Sequence, residues 1–265
     1  MRGMAGRALS FGAVAQAYER FRPGYPTELA DAVLAYAGRP VRTALEIGAG
    51  TGKATRLFAR HGITVTATEP DAAMLAELRR HVPVEVRTRQ AAFEELRPDE
   101  RYGLVYAAAA LHWTNPDGRW SRMAALLEPG GVFACFGGPI RLADPAVAHA
   151  VQAARVPFLA TDEVASPDGT PEEAGLQWPG TELQRSEWFA DVRQSVIARR
   201  LTLRARDYLG HLSTVSAYLE LPDSDRQQVF DRIRRVLPHQ VEIAADITVH
   251  LARRRDRRSA CLLPR

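Results

Sequence analysis

Cysteine is scarce in this chain of 265 residues, which has only Cys135 and Cys261. A disulfide framework or a cysteine-based zinc site needs more thiols, so we expect a protein of a reducing compartment. The opening residues, MRGMAGRALSFG, hold no apolar segment typical of a signal peptide. No run approaches the roughly 20 apolar residues that span a bilayer. We therefore expect a cytoplasmic protein with no membrane partner.

Lysine is nearly absent as well, since Lys53 stands alone beside 34 arginines. The net charge is +4, and the segment RRRDRR (253–258) carries five arginines and one aspartate, which accounts for that excess by itself. The remainder is balanced, which disfavours a nucleic-acid partner. We expect this segment and the rest of 255–265 to form a frayed basic tail, with a partner-binding tail as the alternative.

Apolar periodicity predicts alternating strands and helices through the first half of the chain. The predicted strands cover 42–47, 63–69, 83–88, 102–108 and 131–137. The predicted helices cover 52–61, 71–81 and 116–127, with a short piece near 93–97. This alternation indicates an α/β fold, in which helices cover both faces of a parallel sheet.

The flanking regions follow a different pattern. Ser10 is placed to cap a helix that runs to Phe21, and Thr27 to cap a second helix that runs to Tyr36. Six prolines and the acid-rich stretch TDEVASPDGTPEEAG interrupt the alternation within 139–192. Beyond this insertion, 192–203 and 241–254 are each predicted to be one strand, and 204–220 and 222–237 to be helices.

A glycine loop follows the first strand in TALEIGAGTGKAT, residues 43–55. A Walker A loop would need glycine at position 47 and serine or threonine after Lys53, but the chain has Ile47 and Ala54. A dinucleotide fingerprint starting at Gly48 would need glycine where Lys53 stands. Neither phosphate-binding motif fits the loop.

Two acidic residues favour a cation-bearing nucleoside instead. Glu46 precedes the loop and would repel a diphosphate at the following helix N-terminus, whereas it suits a ligand with an ammonium and a sulfonium group. Glu69 ends the second strand, where a carboxylate can accept hydrogen bonds from both ribose hydroxyls. Taken alone, Glu69 is equally consistent with a solvated acid. Together, the loop and the two acids predict S-adenosylmethionine, with S-adenosylhomocysteine as the product.

The motifs LEIGAGTGKAT, ATEPDAAML, LHW and LLEPGG resemble those of class I S-adenosylmethionine-dependent methyltransferases. The N-terminal Y…RPGYP element is similar to that of their small-molecule, type 11-like branch. The resemblance runs from Phe11 to about Arg254 and is weakest over 139–192. Gly103 departs from the family, because many members have aspartate there, and QAAFEEL replaces an acid or amide near the adenine.

The resemblance implies a Rossmann-like three-layer sandwich. Its seven-stranded, mostly parallel sheet has the last strand inserted antiparallel beside the fifth. The domain organisation expected begins with an N-terminal helical lid (1–40) and a cofactor-binding core (41–138). A substrate-specificity insertion (139–192), the C-terminal part of the core (193–254) and a basic tail (255–265) follow.

The predicted cofactor-binding residues belong to the lid, the glycine loop and the ends of strands two to four. They are Tyr18, Arg22, Glu46, Gly48, Ala49, Gly50, Thr51, Gly52, Glu69, Pro70, Met74, Ala92, Phe93 and Ala108. Ala92 and Phe93 are expected to offer backbone hydrogen bonds and a ring edge to the adenine.

Missing motifs narrow the methyl acceptor. AAALHW (108–113) stands where amino-methylating enzymes of adenine or glutamine have an Asn-Pro-Pro-aromatic turn. No cysteine is placed for cytosine methylation, and no acid cluster for a metal. We therefore expect metal-independent, in-line transfer to O, N or C of a small organic acceptor in natural-product metabolism. An RNA or protein acceptor and a non-catalytic S-adenosylmethionine-binding module are the alternatives.

Several side chains are candidates for the acceptor site. His112 is a candidate general base, or else it orders the loop after the fourth strand. Tyr25 is a second catalytic candidate, and Tyr18 with Arg22 is expected to close over the cofactor. Trp113, Trp178 and Trp188 are predicted pocket walls. The acids of the insertion, any of which could supply a base, are Asp162, Glu163, Asp168, Glu172 and Glu173. The sequence is compatible with a monomer or a homodimer.

Overall fold

The computed structural model describes residues 9–162, 166–171 and 173–256. Glu163, Glu172 and the end of the predicted basic tail, 257–265, lie outside these ranges. Within them, no helix combines the length and the apolar character needed to cross a membrane.

A seven-stranded sheet forms the centre of the molecule. Numbered along the chain, its strands are β1 (Thr43–Ile47), β2 (Thr64–Thr68), β3 (Arg87–Arg89), β4 (Tyr102–Ala108), β5 (Leu127–Gly137), β7 (Phe189–Ile197) and β10 (Ile247–Arg254). Their spatial order is β3-β2-β1-β4-β5-β10-β7. The pairs from β3 to β5 are parallel, and β10 is antiparallel to both neighbours. The predicted Rossmann-like sheet with an antiparallel last strand is confirmed.

Ten helices in the described part of the chain surround the sheets. They are α1 (Ala15–Phe21), α2 (Thr27–Ala37), α3 (Lys53–Arg60), α4 (Ala72–His81), α5 (Arg119–Leu126), α6 (Pro145–Arg155), α7 (Gly180–Arg185), α8 (Ala205–Leu212), α9 (Ser216–Leu219) and α10 (Asp223–Val236). Short 3-10 turns occur at Leu9–Val14, Phe93–Glu95 and Leu111–Trp113.

Alternate residues of the central strands enter two separate cores. Leu104 and Val132 join a cluster that α2 and α3 cover. Their chain neighbours Val105 and Phe133 join a cluster on the opposite face with Leu126 of α5. Because successive side chains of a strand point to opposite faces, a doubly covered sheet needs continuous apolar runs. The buried pattern of β4 and β5 meets that requirement.

A second, smaller lobe has its own sheet and its own core. β6 (Arg141–Leu142), β8 (Arg200–Arg204) and β9 (Gln240–Ala244) form an antiparallel sheet in the order β6-β9-β8. Its core draws on α6, α8, α9 and α10, and includes the buried side chains Tyr218, Ile233 and Ile243. The lobe therefore combines residues of the insertion after β5 with residues that follow β7.

The prediction of single strands over 192–203 and 241–254 is wrong. Each run breaks into two strands that belong to different sheets, β7 with β8 and β9 with β10. The breaks face each other, because Ala245 N donates to Arg199 O at 2.9 Å and Arg199 N donates to an Asp246 carboxylate oxygen at 2.8 Å. At these two hydrogen-bonded breaks, the chain passes between the central sheet and the small lobe.

The two predicted helix caps are also wrong. Ser10 lies inside the Leu9–Val14 3-10 turns, and the α-helix starts only at Ala15. Thr27 is the first residue of α2, so the N-cap position falls to Pro26, which has no side-chain acceptor. The fixed φ of proline sets the extended backbone before the helix instead.

The first arginines of the predicted basic tail are structural. Arg253 belongs to β10 and donates to the carbonyls of Tyr36 at 2.8 Å and Ala37 at 3.2 Å. Arg254 donates to the carbonyl of Leu127, and Arg255 to that of Phe189 at 2.5 Å. The expectation of a frayed segment is therefore wrong for these three residues, which satisfy carbonyls at the end of the sheet.

We expect Phe133→Ala to lower the free energy of unfolding by about 3–5 kcal/mol, because the ring is fully buried between Trp120 and Phe189. Val84→Ala is the control, since Val84 is 94% exposed and its change should stay within about 0.5 kcal/mol. Urea unfolding followed by circular dichroism measures both. Equal losses in the two variants would contradict the assigned core.

Candidate active site

A cleft opens at the carboxyl ends of the central strands, where β1 has β2 on one side and β4 on the other. The strand order reverses at this point, and ligands of open α/β sheets bind at such reversals. The cleft starts at the glycine loop, passes the ends of β4 and β5 and reaches the crossing between the two sheets.

The glycine loop has three residues with positive φ: Gly48 at 63°, Gly50 at 57° and Gly52 at 84°. A Cβ on Gly48 would lie 2.7 Å from that of Ala110, and one on Gly52 would lie 2.8 Å from Val82. Both positions therefore require glycine for backbone conformation and for space. A larger residue at either position could not keep this backbone path beside the cleft.

Glu46 lies beneath the loop with no exposed surface. One carboxylate oxygen accepts hydrogen bonds from Thr55 Oγ1 at 2.5 Å and from Tyr106 OH at 2.9 Å. The other oxygen is buried without a partner in the described part of the chain, and Glu46 lines the cleft. Burial raises the pKa of Glu46 to about 8, against the opposing effect of the two hydroxyl donors. An acceptor held in this way fits an ammonium group.

Glu69 accepts a backbone hydrogen bond at each carboxylate oxygen, one from the glycine loop and one from the residue that precedes α4. It accepts from Gly50 N at 2.8 Å and from Asp71 N at 3.0 Å. Burial raises the pKa of Glu69, and the two backbone donors oppose that shift. A carboxylate oxygen has two lone pairs, so acceptor capacity for ribose hydroxyls remains. Glu69 does not line the cleft itself.

The N-terminal segment, residues 9–26, packs over the loop. Glu19 forms ion pairs with Lys53 at 3.4 Å and with Arg56 at 2.7 Å. Tyr18 and Arg22 both line the cleft, and the Arg22 guanidinium lies 5.2 Å from the centre of the Tyr18 ring.

The same segment also contacts the small lobe. Arg22 donates to Thr214 Oγ1 at 2.8 Å and to Thr214 O at 2.9 Å. A Cβ on Gly210 of α8 would lie 2.6 Å from the Phe21 ring, so this close packing requires glycine. The segment therefore bridges the core and the small lobe.

The residues predicted for the adenine lie beyond the lined part of the cleft. Met74 is buried, and its methyl group would lie 3.5 Å from a Cβ on Gly50. The backbone N–H of Ala92 was expected to donate to the adenine. It donates instead to a Glu95 carboxylate oxygen at 2.8 Å. Phe93 is buried in the core cluster below α5, and the Pro70 carbonyl accepts from Gln90.

The two catalytic candidates occupy different surroundings. Tyr25 lines the cleft against Phe136, with ring centres 5.2 Å apart, and burial holds the pKa of its hydroxyl far above the usual range. The His112 ring lies against Trp113, with ring centres 4.5 Å apart and the planes tilted by 46°, and His112 does not line the cleft. Burial lowers the pKa of His112 to about 4, and the charge of Arg119 adds to the shift. A histidine with that pKa is a weak proton acceptor.

The predicted wall tryptophans lie outside the cleft as well. Trp113 contacts Phe11, with ring centres 6.1 Å apart, so it supports the N-terminal segment. Trp178 lies 5.5 Å from the Arg119 guanidinium, and Trp188 packs against the same core as Phe133. Among the acids of the insertion, Asp162 forms an ion pair with Arg155 in the small lobe.

The cleft thus brings together part of the predicted set and adds residues that sequence reasoning missed. The predicted residues that line it are Tyr18, Arg22, Tyr25, Glu46, Gly48, Ala49, Gly50, Thr51 and Ala108. The residues missed include Lys53, Ala109, Gly137, Ile140, Arg199 and Asp246. Arg199 and Asp246 stand at the two chain breaks hidden inside predicted strands. In the described residues, no group of three or more histidine, cysteine or acidic side chains could hold a metal ion.

Comparison with known proteins identifies a methyltransferase domain over residues 45–135. The chain is 40% identical over 124 residues to an uncharacterized methyltransferase of Mycobacterium tuberculosis H37Rv. This match covers 47% of this chain and 50% of that protein. The chain is also 35% identical over 127 residues to the trans-aconitate 2-methyltransferase of Delftia acidovorans, and this match covers 44% of each protein. The chain thus spans about half the length of the relatives it matches.

A structural comparison extends the likeness over most of the chain. A candidate type II methyltransferase from Anaeromyxobacter dehalogenans has 25% sequence identity and a TM-score of 0.56, covering 88% of this chain and 97% of that one. The class I methyltransferase resemblance and its cofactor, S-adenosylmethionine, are confirmed.

The raised pKa of Glu46 predicts a proton linkage in cofactor binding. An ammonium group beside the free oxygen favours the carboxylate, so binding of S-adenosylhomocysteine at pH 7 should release a proton. The affinity should rise by up to about tenfold per pH unit and level off above about pH 8. Calorimetry in buffers of different ionisation enthalpy measures the proton release.

Glu46→Gln should abolish this linkage, whereas Glu100→Gln, at an exposed ion pair with Arg87, should retain it. Without the ligand, the folded state holds more protons at Glu46 than the unfolded state between about pH 4.5 and 8. The contribution of this group to stability therefore falls as the pH rises through that interval. Binding without proton release would contradict the assignment.

Proposed function

We propose that this chain, which carries a class I S-adenosylmethionine-dependent methyltransferase domain, transfers a methyl group to a small organic molecule. The observation that supports this is the continuity of the cleft. It runs from the glycine loop to the ends of β5 and β10, and Tyr18 and residues 22–25 of the N-terminal segment line it. A cofactor at the loop and an acceptor at the far end would then share one enclosed space.

When bound, S-adenosylmethionine supplies a methyl group on a cationic sulfur. In our proposal, Glu46 and the loop backbone hold its amino-acid portion, and Glu69 the ribose. Ala108 and Ala109 border the path to the acceptor, and Ala109 has a φ of 51°, an uncommon value for a residue other than glycine. The protein then contributes alignment and exclusion of water, which can be worth roughly 7–11 kcal/mol.

A small acceptor is favoured over RNA or protein for two reasons. The N-terminal segment is attached to both lobes above the cleft, which leaves little access for a macromolecule. Arg253, Arg254 and Arg255, which gave the predicted tail much of its charge, are engaged with backbone carbonyls. The name of the Delftia acidovorans relative also specifies a small organic acceptor, trans-aconitate.

Tyr25 replaces His112 as the candidate in contact with the acceptor, because only Tyr25 lines the cleft. His112→Ala should therefore keep cofactor affinity and retain turnover within about threefold. Its pH–rate profile should also keep its shape. A pH profile that loses a limb, together with a turnover loss above about a hundredfold, would restore His112 as the general base.

Release of homocysteine in a coupled assay tests the function. The purified protein is incubated with S-adenosylmethionine and pooled phenols, indoles, amines and carboxylic acids. We expect turnover with at least one pool, and a Gly50→Val control should lack it, because valine at a φ of 57° blocks the loop. Tight cofactor binding with no turnover in any pool, nor with RNA or protein, would favour a non-catalytic binding module.

A further inference from the structure

The far end of the cleft lies at the crossing, where the chain passes between the two sheets. Arg199 comes from the connection between β7 and β8, and Asp246 from the connection between β9 and β10. Counted across β4 and β5, β10 lies three strand spacings from β1, which is about 14 Å. The far end is therefore a separate part of the cleft from the glycine loop.

Asp246 presents a free acceptor at this end. Both of its side-chain contacts fall on Oδ1, which accepts from Arg199 N at 2.8 Å and from Arg200 Nη1 at 2.9 Å. Asp246 lines the cleft, and its Oδ2 has no hydrogen bond to any residue that the structure describes. An ionised carboxylate can accept at both oxygens. The crossing therefore fixes the carboxylate through one oxygen and leaves the other for a ligand.

Close backbone packing holds Asp246 beside the end of β5. A Cβ on Gly138 would overlap the carbonyl oxygen of Asp246, so this approach requires glycine. A Cβ on the preceding residue, Gly137, would lie 3.2 Å from that of Ala109, which follows β4. These small residues line the cleft between the glycine loop and Asp246. They leave space for an acceptor that contacts Asp246.

Arg199 brings a guanidinium group to the same end of the cleft. Its Nη1 donates to the carbonyl of Gly24 at 2.6 Å. Burial lowers the pKa of Arg199, against the effect of Glu28 from outside the cleft, yet an arginine stays charged at physiological pH. Because Arg200 pairs with Asp246, two guanidinium groups accompany one carboxylate at the crossing. This balance disfavours an ammonium acceptor and favours a neutral hydroxyl group, whose oxygen becomes negative as its proton leaves.

A hydroxyl acceptor needs a base within hydrogen-bond reach during methyl transfer. In the described part of the chain, two carboxyl groups line the cleft, one at each end. Glu46 lies beneath the glycine loop, where its free oxygen suits the ammonium group of the cofactor. Tyr25 keeps its proton, because burial holds its pKa far above the usual range. Asp246 is therefore placed to receive the proton, and its side chain, which is 42% exposed, can return it to water.

An aspartate is a weak base, so it suits an acidic hydroxyl group. A phenol ionises near about pH 10, whereas an aliphatic alcohol holds its proton more strongly. A fixed positive charge such as that of Arg199 stabilises the negative charge that develops on a phenol oxygen. Tyr18 and Tyr25 line the cleft, and their rings offer apolar surface to an aromatic acceptor. These features favour a phenol over an alcohol.

We infer that the methyl acceptor is a phenol and that Asp246 Oδ2 takes its hydroxyl proton as the general base. This rests on the proposed methyltransferase function. As the proton moves to Oδ2, the electron pair of the O–H bond stays on oxygen, and an oxygen lone pair forms the bond to the methyl carbon. The carbon–sulfur bond breaks and its electron pair goes to sulfur. The products are an aryl methyl ether, the neutral thioether S-adenosylhomocysteine and a protonated Asp246, so the opposite charges of the reactants cancel.

The binding test compares phenol with fluorobenzene, and 2-naphthol with 2-fluoronaphthalene, on the protein saturated with S-adenosylhomocysteine. For at least one pair, the ratio of hydroxyl to fluoro affinity should fall at least about tenfold in Asp246→Ala, because a hydrogen bond to a charged group is lost. Asp246→Asn should show a smaller fall, since its amide oxygen still accepts.

Asp191→Asn is the matched control. Asp191 is 41% exposed and pairs with Arg193, much as Asp246 is 42% exposed and pairs with Arg200, but Asp191 does not line the cleft. The affinity ratio should be unchanged in this variant. Thermal unfolding, and calorimetry with S-adenosylhomocysteine, check that each variant folds and keeps the glycine loop intact.

The transfer test uses pairs of phenols that differ by a nitro group para to the hydroxyl, beginning with phenol and 4-nitrophenol. At about pH 8 the nitrophenol is mostly ionised, whereas phenol keeps its proton. A base accelerates transfer only to the acceptor that must lose a proton, and its contribution is about a hundredfold or more. Asp246→Asn should therefore lower turnover of the phenol at least about a hundredfold and that of its nitro partner less than about tenfold.

The remaining outcomes overturn the inference. Equal losses for both phenols of a pair would show that Asp246 only shapes the cleft. Unchanged turnover in Asp246→Asn, an affinity ratio that survives Asp246→Ala, or turnover with other acceptor classes and with no phenol would also contradict it. Each of these would leave the proposed methyltransferase function intact. Absence of turnover with every acceptor class would overturn both, so the two failures are distinguishable.

Discussion

The fully buried carboxyl group of Glu46 connects the elements on which the cleft depends. One oxygen of this β1 side chain accepts hydrogen bonds from Tyr106 of β4 and from Thr55 of α3, so two strands and a helix meet at one acceptor. The other oxygen has no partner among the described residues. A buried polar atom without a hydrogen bond costs about 1–3 kcal/mol. A cationic group placed beside this oxygen would remove that cost, so the oxygen is a preformed acceptor for the ammonium group of the proposed cofactor.

The glycine loop explains why a diphosphate is a poor ligand here. Phosphate-binding loops direct free backbone N–H groups at the anion. In this chain Gly50 N instead donates to Glu69, and Ala49 N donates to Thr68 O in β2. With those donors engaged, and with carboxyl groups on both sides, the loop presents acceptors where a phosphate requires donors. The positive φ values of the glycines thus serve close packing and not an anion nest.

The sequence was sufficient for the parallel strands at the centre of the sheet, because their signals are local and repeated. β4 and β5 are continuous apolar runs, and the loop after β1 carries three glycines at fixed spacing. The far end of the cleft could not be predicted, since it depends on two breaks without glycine or proline. Arg199 and Asp246 stand inside runs whose propensity is that of uninterrupted strand. The crossing is fixed by hydrogen bonds between residues far apart in sequence, from Arg199 N to Asp246 and from Ala245 N to Arg199 O. The arginines after Leu251 were misread for a related reason. Their charge is visible in the sequence, whereas the carbonyls to which they donate lie far away along the chain.

Glu19 links the N-terminal segment to the electrostatics of the loop. Lys53, in the position that resembles the lysine of a phosphate-binding loop, donates to the Glu19 carbonyl at 2.6 Å and also lies 3.4 Å from its carboxylate. Arg56, one turn further along α3, pairs with the other carboxylate oxygen. Without Glu19, the charges of Lys53, which lines the cleft, and of the neighbouring Arg56 would be unneutralised and would repel a sulfonium, since desolvated like charges interact strongly at short range. The N-terminal segment therefore does more than cover the cleft: its carboxylate neutralises the cations that would otherwise suit the loop to phosphate.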